Sequence, residues 1–302
     1  MNGFPPWSSI TDPNRDNGEP LIEIGFYVTL YFEDGYLPER RLAAFELFQK
    51  YWRLVDGKFH WTTNVKTHNW EAVTSEHSPE FWLSEQPKEP WIWDICFHNG
   101  QSYDSTGLLR IEALGGPPPS LSYMSITLPP TWFADHPQTY AQDLMLHWAS
   151  RLRAIHGSAG LGIMVPLDVT RQKELGQSVR SLAQRLPGLE VDYPLSHSIY
   201  LQKGIKSVNW LTCLDERFLN QLGGIEQLRA KLNPNLKLLT YPGGAVLQAG
   251  AFPEVGDREP GRIPENYRAA AALLRPIQAS YPAPFPGFGG QDATDVWLHR
   301  FD

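Results

Sequence analysis

The chain has 302 residues, of which 42% are hydrophobic and 20% charged, and its formal net charge is −7. It is too apolar for a disordered chain, and it lacks the basic balance with which a general nucleic-acid binder neutralises phosphates. Two cysteines, Cys96 and Cys213, are too few for a disulfide framework or a four-cysteine metal site.

In chain order, residues 1–21 read as a loose arm rich in Pro, Asn, Gly and Asp. They show neither the basic nor the apolar region of a signal peptide, and no run approaches the ~18–20 apolar residues that cross a bilayer. A cytoplasmic protein with no membrane partner is therefore expected. Ile22–Phe32 is β-branched and aromatic, a buried strand. Pro38 opens a helix to about Val55, with Leu42, Phe45, Phe48, Trp52 and Val55 in one apolar stripe. Trp91–His98 alternates: Trp91, Trp93, Ile95 and Phe97 take a core face, and Ile92, Asp94, Cys96 and His98 a mixed face. Leu108–Leu114 and Ser122–Leu128 are strands around a Gly/Pro turn, and a helix runs from about Pro137 to Ile155.

Ala159–Val165 is strand-like, and Thr170–Leu186 is a helix with no capping box. Lys206–Leu214 is a strand, and Asp215 caps a short helix that Gly223-Gly224 stops. Ile225–Leu232 is a helix, Leu236–Tyr241 and Ala245–Ala249 are short strands, and Pro264–Leu274 is a late helix. Ser280–Gly290 has no regular pattern and opens a Pro/Gly/Phe-rich tail, 279–302. The expectation is an α+β fold, with mostly antiparallel strands and flanking helices. It forms one body, 22–302, of two similar-sized packed halves, about 22–157 and 158–278.

Motifs of catalysis are missing. The chain has no phosphate loop, no H-E-x-x-H, no C-x-x-C and no G-x-S-x-G. Gly157-Ser158-Ala159-Gly160-Leu161-Gly162 has the wrong order for a dinucleotide loop and reads as a small-residue strand packed close to a neighbouring helix. Asp94, Cys96 and His98 share a strand face, yet nucleophile, base and orienter usually converge from different elements. Glu254 and Asp257 offer two loop carboxylates, incomplete as a metal site. No cofactor and no metal are expected.

The unusual feature is tryptophan. Trp61, Trp70, Trp82, Trp91 and Trp93 lie between residues 61 and 93, and from Glu71 to Asp94 the chain carries Glu71, Glu76, Glu80, Glu85, Glu89 and Asp94 against the single base Lys88. Acid interleaved with Trp suits a surface for a basic protein, where charge steers and buried rings anchor. A solvated loop above an aromatic core has the same composition. The candidate contact residues are Trp70, Glu71, Glu76, Glu80, Trp82, Glu85 and Glu89. Pro79 and Pro87 argue for a shaped loop, with Trp70 or Trp82 buried against the partner.

From Ile205 to Ile277 the chain resembles a bacterial family. The residues are Val208-Asn209-Trp210-Leu211-Thr212, Leu222-Gly223-Gly224, Tyr241-Pro242-Gly243-Gly244, Gln248-Ala249-Gly250, Pro253–Asp257 and the helix from Tyr267-Arg268 to Arg275-Pro276-Ile277. It is the type VI secretion immunity family, once known only as a domain of unknown function. The resemblance implies a non-enzymatic immunity protein whose partner is a cognate effector toxin. In this family such partners include nucleases of the VRR-NUC type. A nuclease site must be basic to hold phosphates, so an acidic inhibitor suits it. Two other readings use different features: a hydrolase built on Glu254 and Asp257, and a structural component of a secretion apparatus.

Overall fold

The computed structural model describes residues 20–86, 91–132, 136–259 and 261–302. Eleven strands form one sheet: β1 (Glu23–Phe32), β2 (Trp61–Thr63), β3 (Trp70–Ala72), β4 (Trp93–His98), β5 (Arg110–Gly115), β6 (Ser122–Leu128), β7 (His156–Met164), β8 (Glu190–Val191), β9 (Leu211–Asp215), β10 (Leu236–Tyr241) and β11 (Gly244–Ala249). Their spatial order is β10-β11-β9-β7-β1-β6-β5-β4-β2-β3, with β8 beside β7. Among the strands of the described residues only the β7–β8 pair is parallel; the others are antiparallel, in keeping with the α+β reading.

β1 is central, flanked by β6 and β7. Its aromatic and β-branched residues are buried on both faces, which is why the run reads as continuously apolar. The expected boundary near residues 155–160 falls at the start of β7, so the two halves of the chain meet as one sheet, β1 against β7. The glycines of β7 are explained by close approach to β1 and to the segment before β9, not to a helix. A Cβ on Gly157 would collide with the Thr29 carbonyl in β1, and one on Gly160 with the Asn209 side chain.

Nine helices flank the sheet among the described residues: α1 (Pro38–Leu54), α2 (Pro79–Glu85), α3 (Gln138–Leu152), α4 (Val169–Arg185), α5 (Pro194–Ser198), α6 (Glu216–Gln221), α7 (Ile225–Ala230), α8 (Glu265–Leu274) and α9 (Gln291–Leu298). Residues of α1, α2, α3, α6, α7 and α8 join the larger core on one face. Residues of α4 and α9 build a smaller core on the other, against β1 and β7.

Several expectations are corrected. The buried side of α1 is Ala43, Ala44, Leu47, Phe48 and Tyr51, while Leu42 is exposed. Small residues let the helix approach the sheet, which rotates the stripe away from Leu42. α3 stops at Leu152, because Arg153 turns left-handed at φ 49°. α4 starts at Val169, one residue before the expected Thr170, and without a capping box it is capped by Asp168, which accepts from the Arg171 N–H at 2.9 Å. The strand read from Lys206 begins only at Leu211, since Lys206 turns inward to buried carboxylates. Asp215 does cap α6, accepting from Phe218 N at 3.0 Å. Trp91 and Ile92 precede β4 and lie exposed rather than in it. Ser280–Gly290 has no helix or strand, yet Tyr281, Phe285 and Phe288 are buried, and an unforeseen helix, α9, follows with Trp297 in the core.

Candidate functional site

The acidic segment borders one end of the sheet. β3 is the edge strand beyond β2. From it the chain passes to α2, which is more regular than the expected loop. Ser78 caps α2, accepting from the Phe81 N–H at 3.1 Å, and Pro79 fills its first turn. Trp82 on α2 points inward. It is 3% exposed, crosses Phe48 at 6.0 Å and Trp93 at 5.9 Å, and its indole N–H donates to the Asp94 carbonyl at 2.6 Å. The ring offered by the sequence as an anchor for a partner is thus used by the protein's own core. The physical reason is the orientation of α2, which places Phe81 outward and Trp82 on α1.

The acids differ from one another. Glu71 accepts from Asn64 at 3.1 Å and lies 3.0 Å from the His77 Nε2, an interaction that holds its carboxyl below the usual range. Glu80 accepts from Gln49 at 2.6 Å, with the same consequence. Glu85 pairs with Lys66 at 2.6 Å. Glu76 is exposed. Glu89 lies outside the described residues. Trp70 is half-buried, its ring at 5.0 Å from His98. Trp61, which the sequence reading did not single out as a contact residue, stands on the neighbouring strand and meets Tyr103 at 6.0 Å.

The register explains the mixed face of β4. Asp94, Cys96 and His98 oppose Leu114, Glu112 and Arg110 on β5. Their neighbours on the far side are Thr63 and Trp61, the latter opposite His98. The three do not converge as a catalytic group. His98 Nδ1 accepts from the Gly100 N–H at 3.1 Å, and burial lowers its pKa to about 4. Burial pushes the Cys96 thiol well above its ordinary value, away from the thiolate that a nucleophile needs. Both cysteines are free.

The loop carboxylates are also taken up separately. Glu254 accepts from Asn266 at 2.9 Å, whereas Asp257 pairs with Arg185 at 3.5 Å. Among the described residues, no three His, Cys, Asp or Glu side chains are grouped to hold a metal ion. A cleft of about 520 Å³ opens where β1 and β9 end, but its Arg217 bridges Asp215 and Glu33 at 2.6 and 3.0 Å. A deeper cluster escaped the sequence reading. Lys206 Nζ sits 2.8 Å from Glu190 and 3.1 Å from Asp192, with Arg300 3.5 Å from Glu190, all buried. Thr29 completes it, donating to Asp192 at 2.5 Å. This cluster joins β8, the chain before β9 and the C-terminal end.

Comparison with known proteins decides the family. The model of TsiV, described as type VI immunity for VRR-NUC, matches residues 43–301. The chain belongs to the TsiV family. The match covers both acidic segment and late helix, well beyond the 205–277 stretch that carries the resemblance in sequence. A solved T6SS protein of Pseudomonas aeruginosa has the same fold, with a TM-score of 0.83 and 22% identity over 95% of this chain and 86% of that one. No curated protein matches. As a TsiV member the chain is a type VI immunity protein for VRR-NUC effectors. Among its described residues no helix is long and apolar enough to cross a membrane.

Proposed function

We propose that this protein binds the nuclease domain of one cognate type VI effector inside the producing bacterium and blocks its access to nucleic acid, without catalysis. The observation that carries the reading is the TsiV match across residues 43–301. The net charge of −7 supports it, because a nuclease surface must be basic to hold phosphates. Contact is assigned to the acidic segment: Glu76, Glu80 and Glu85 steer, and Trp70 and Glu71 adjoin them at the sheet edge. Neither nucleic acid nor a membrane is a partner in this reading.

Co-expression tests it. Cells making the cognate VRR-NUC-type effector should survive when this protein is made in the cytoplasm. DNA cleavage by the purified effector should stop at about one equivalent. Continued killing and cleavage in the presence of folded protein would reject the reading. A hydrolase reading has no geometric support in the loop carboxylates, since Glu254 and Asp257 turn to different partners.

A further inference from the structure

The cleft of about 520 Å³ lies where the end of β1, the starts of α1 and α6, the end of α3 and the tip of the β10–β11 hairpin meet. Its charges fall into two groups. Arg217 bridges Glu33 and Asp215, so those three are engaged with one another. Arg40 and Arg153 are not. Among the described residues neither guanidinium has a carboxylate within ion-pair distance. Arg40 donates to the Leu152 carbonyl at 3.2 Å, and its Nε is buried with no partner. That contact sets it beside Arg153, and burial together with the Arg153 charge lowers the Arg40 pKa. Two like charges thus share one wall of the cleft.

The backbone of Arg153 is a second observation. It ends α3 at φ 49°, with its N–H directed to the Ala149 and Ser150 carbonyls. This left-handed position at a helix C-terminus favours glycine, because a Cβ crowds the neighbouring carbonyl there. Arginine is therefore a cost to the fold, and its side chain makes no internal bond in return. Such a residue is explained by what it touches outside the chain. Two adjacent guanidiniums suit a carboxylate, which can accept from both. Asp34 and Glu216 line the same cleft and also lack an ion pair, so a polyanion such as a nucleic-acid strand is repelled. The pattern fits a single carboxylate carried on a protein loop.

We propose that Arg40 and Arg153 receive an aspartate or glutamate side chain of the cognate effector's nuclease domain, inserted into this cleft, and that this contact selects the cognate effector. The inference rests on the immunity reading above, which supplies the partner and also a need. Every nuclease surface is basic, so acids on this chain attract cognate and non-cognate effectors alike. A basic receptor that reads an acid tells them apart. The position agrees. α1 carries Arg40 and also Gln49, the partner of Glu80 in the acidic segment, about 14 Å further along the helix axis. An interface of ordinary size, about 800 Å² on each partner, spans that distance.

Binding of the full-length protein to the inactivated nuclease domain of the cognate VRR-NUC-type effector tests this by its sign. Arg153→Glu makes an acidic chain more acidic, so steering alone would speed association with a basic domain and tighten binding. The receptor requires the opposite: binding weaker by about tenfold or more, mostly through faster dissociation. Preference over a non-cognate domain of the same type should shrink by a similar factor. Arg153→Gly should weaken binding by about three- to tenfold while melting no lower than the parent, which loss of a merely structural arginine would not do. Lys173→Glu, exposed on α4 across the sheet, changes the net charge equally and should stay within about twofold. If Arg153→Glu misfolds, Arg153→Gly carries the test. Unchanged or tighter binding by the folded Arg153 variants, with the parent binding tightly, overturns this inference and leaves the immunity reading standing. Failure of the parent itself to bind overturns both. If inorganic phosphate binds the parent and not Arg153→Gly, while both bind the effector equally, the cleft takes a small anion and the inference is overturned.

Discussion

The indole N–H of Trp82 donates to the backbone carbonyl of Asp94 at 2.6 Å, tying α2 to the start of strand β4. The bond fixes a ring that also crosses Phe48 and Trp93. Trp82→Ala removes a buried aromatic and leaves both a cavity and an unpaired carbonyl. It should cost about 3–5 kcal/mol in a urea titration. Trp82→Phe keeps most of the packing and should cost less. A loss below about 1 kcal/mol for the alanine variant would mean that α2 is only loosely attached.

What the sequence revealed and concealed follows the same residue. The alternation Trp93, Ile95, Phe97 marks a half-buried strand because period 2 is written locally. Acids mixed with tryptophans do not say which rings point inward. Trp82 and Trp70 look alike in composition, and only the contacts of α2 with Phe48 and Trp93 separate them. Nor does a sequence show which strands lie side by side in a sheet, since that depends on how distant segments are ordered. The burial of Phe285, Phe288 and Trp297 was hidden for a related reason: Gly and Pro break any periodicity between Tyr281 and Gly290, yet the aromatic surface is too large to leave in water.

Lys206 holds Glu190 and Asp192 apart as two buried anions. Lys206→Met leaves the buried Asp192 without its lysine and Glu190 with Arg300 alone. Breaking a buried pair in this way should cost about 3–5 kcal/mol, read as a shifted denaturation midpoint. Neutralising the acids as well, with Glu190→Gln and Asp192→Asn, should restore a large part of it. If Lys206→Met alone is neutral, the cluster is not a closed charge balance.

Stability should fall on mild acidification. Burial lowers the pKa of His98 and of His156 to about 4, from the usual 6.5. Burial also pushes His197 well below its usual value. These rings stay neutral in the folded chain, while the unfolded chain protonates them below about pH 6.5. The unfolded state then binds more protons, so stability is fully present above about pH 6.5 and is lost as pH falls toward about 4. Each ring should contribute on the order of 1 kcal/mol per pH unit in that window. Glu23 acts the other way: burial raises its carboxyl to about 7, so its contribution is complete below about 4.5 and lost as pH rises through 7. Partial exposure makes its share smaller. Melting temperatures measured from pH 7 to pH 5 should therefore drop, and a steady rise would contradict the assignment.

The two thiols should be silent. Burial pushes the Cys213 thiol up to about 12, and the Cys96 thiol higher still. A disulfide-exchange reagent at pH 8 should modify the native protein far more slowly than the urea-unfolded chain. Cys96→Ala with Cys213→Ala should keep effector binding if the fold survives. Rapid native labelling of Cys96 would mean that burial does not hold this thiol protonated and out of reach.

The last prediction separates steering from anchoring in the acidic segment. Glu76, Glu80 and Glu85 become lysines in one variant. Glu85 loses its pair with Lys66, and Glu80 its bond to Gln49, but both are near the surface. Such exposed interactions are worth about 1 kcal/mol or less, so the fold should survive. The change inverts three charges, and its effect should appear in encounter. Association with a basic nuclease domain should slow by about tenfold or more in low salt and lose much of its salt dependence, while dissociation changes little. Glu76→Lys alone should reproduce a good share of the effect, because it breaks no internal bond. If the folded triple variant associates at the parental rate in low salt, steering does not come from this segment, and the acids around Glu254, Asp257 and Glu259 are the next to reverse.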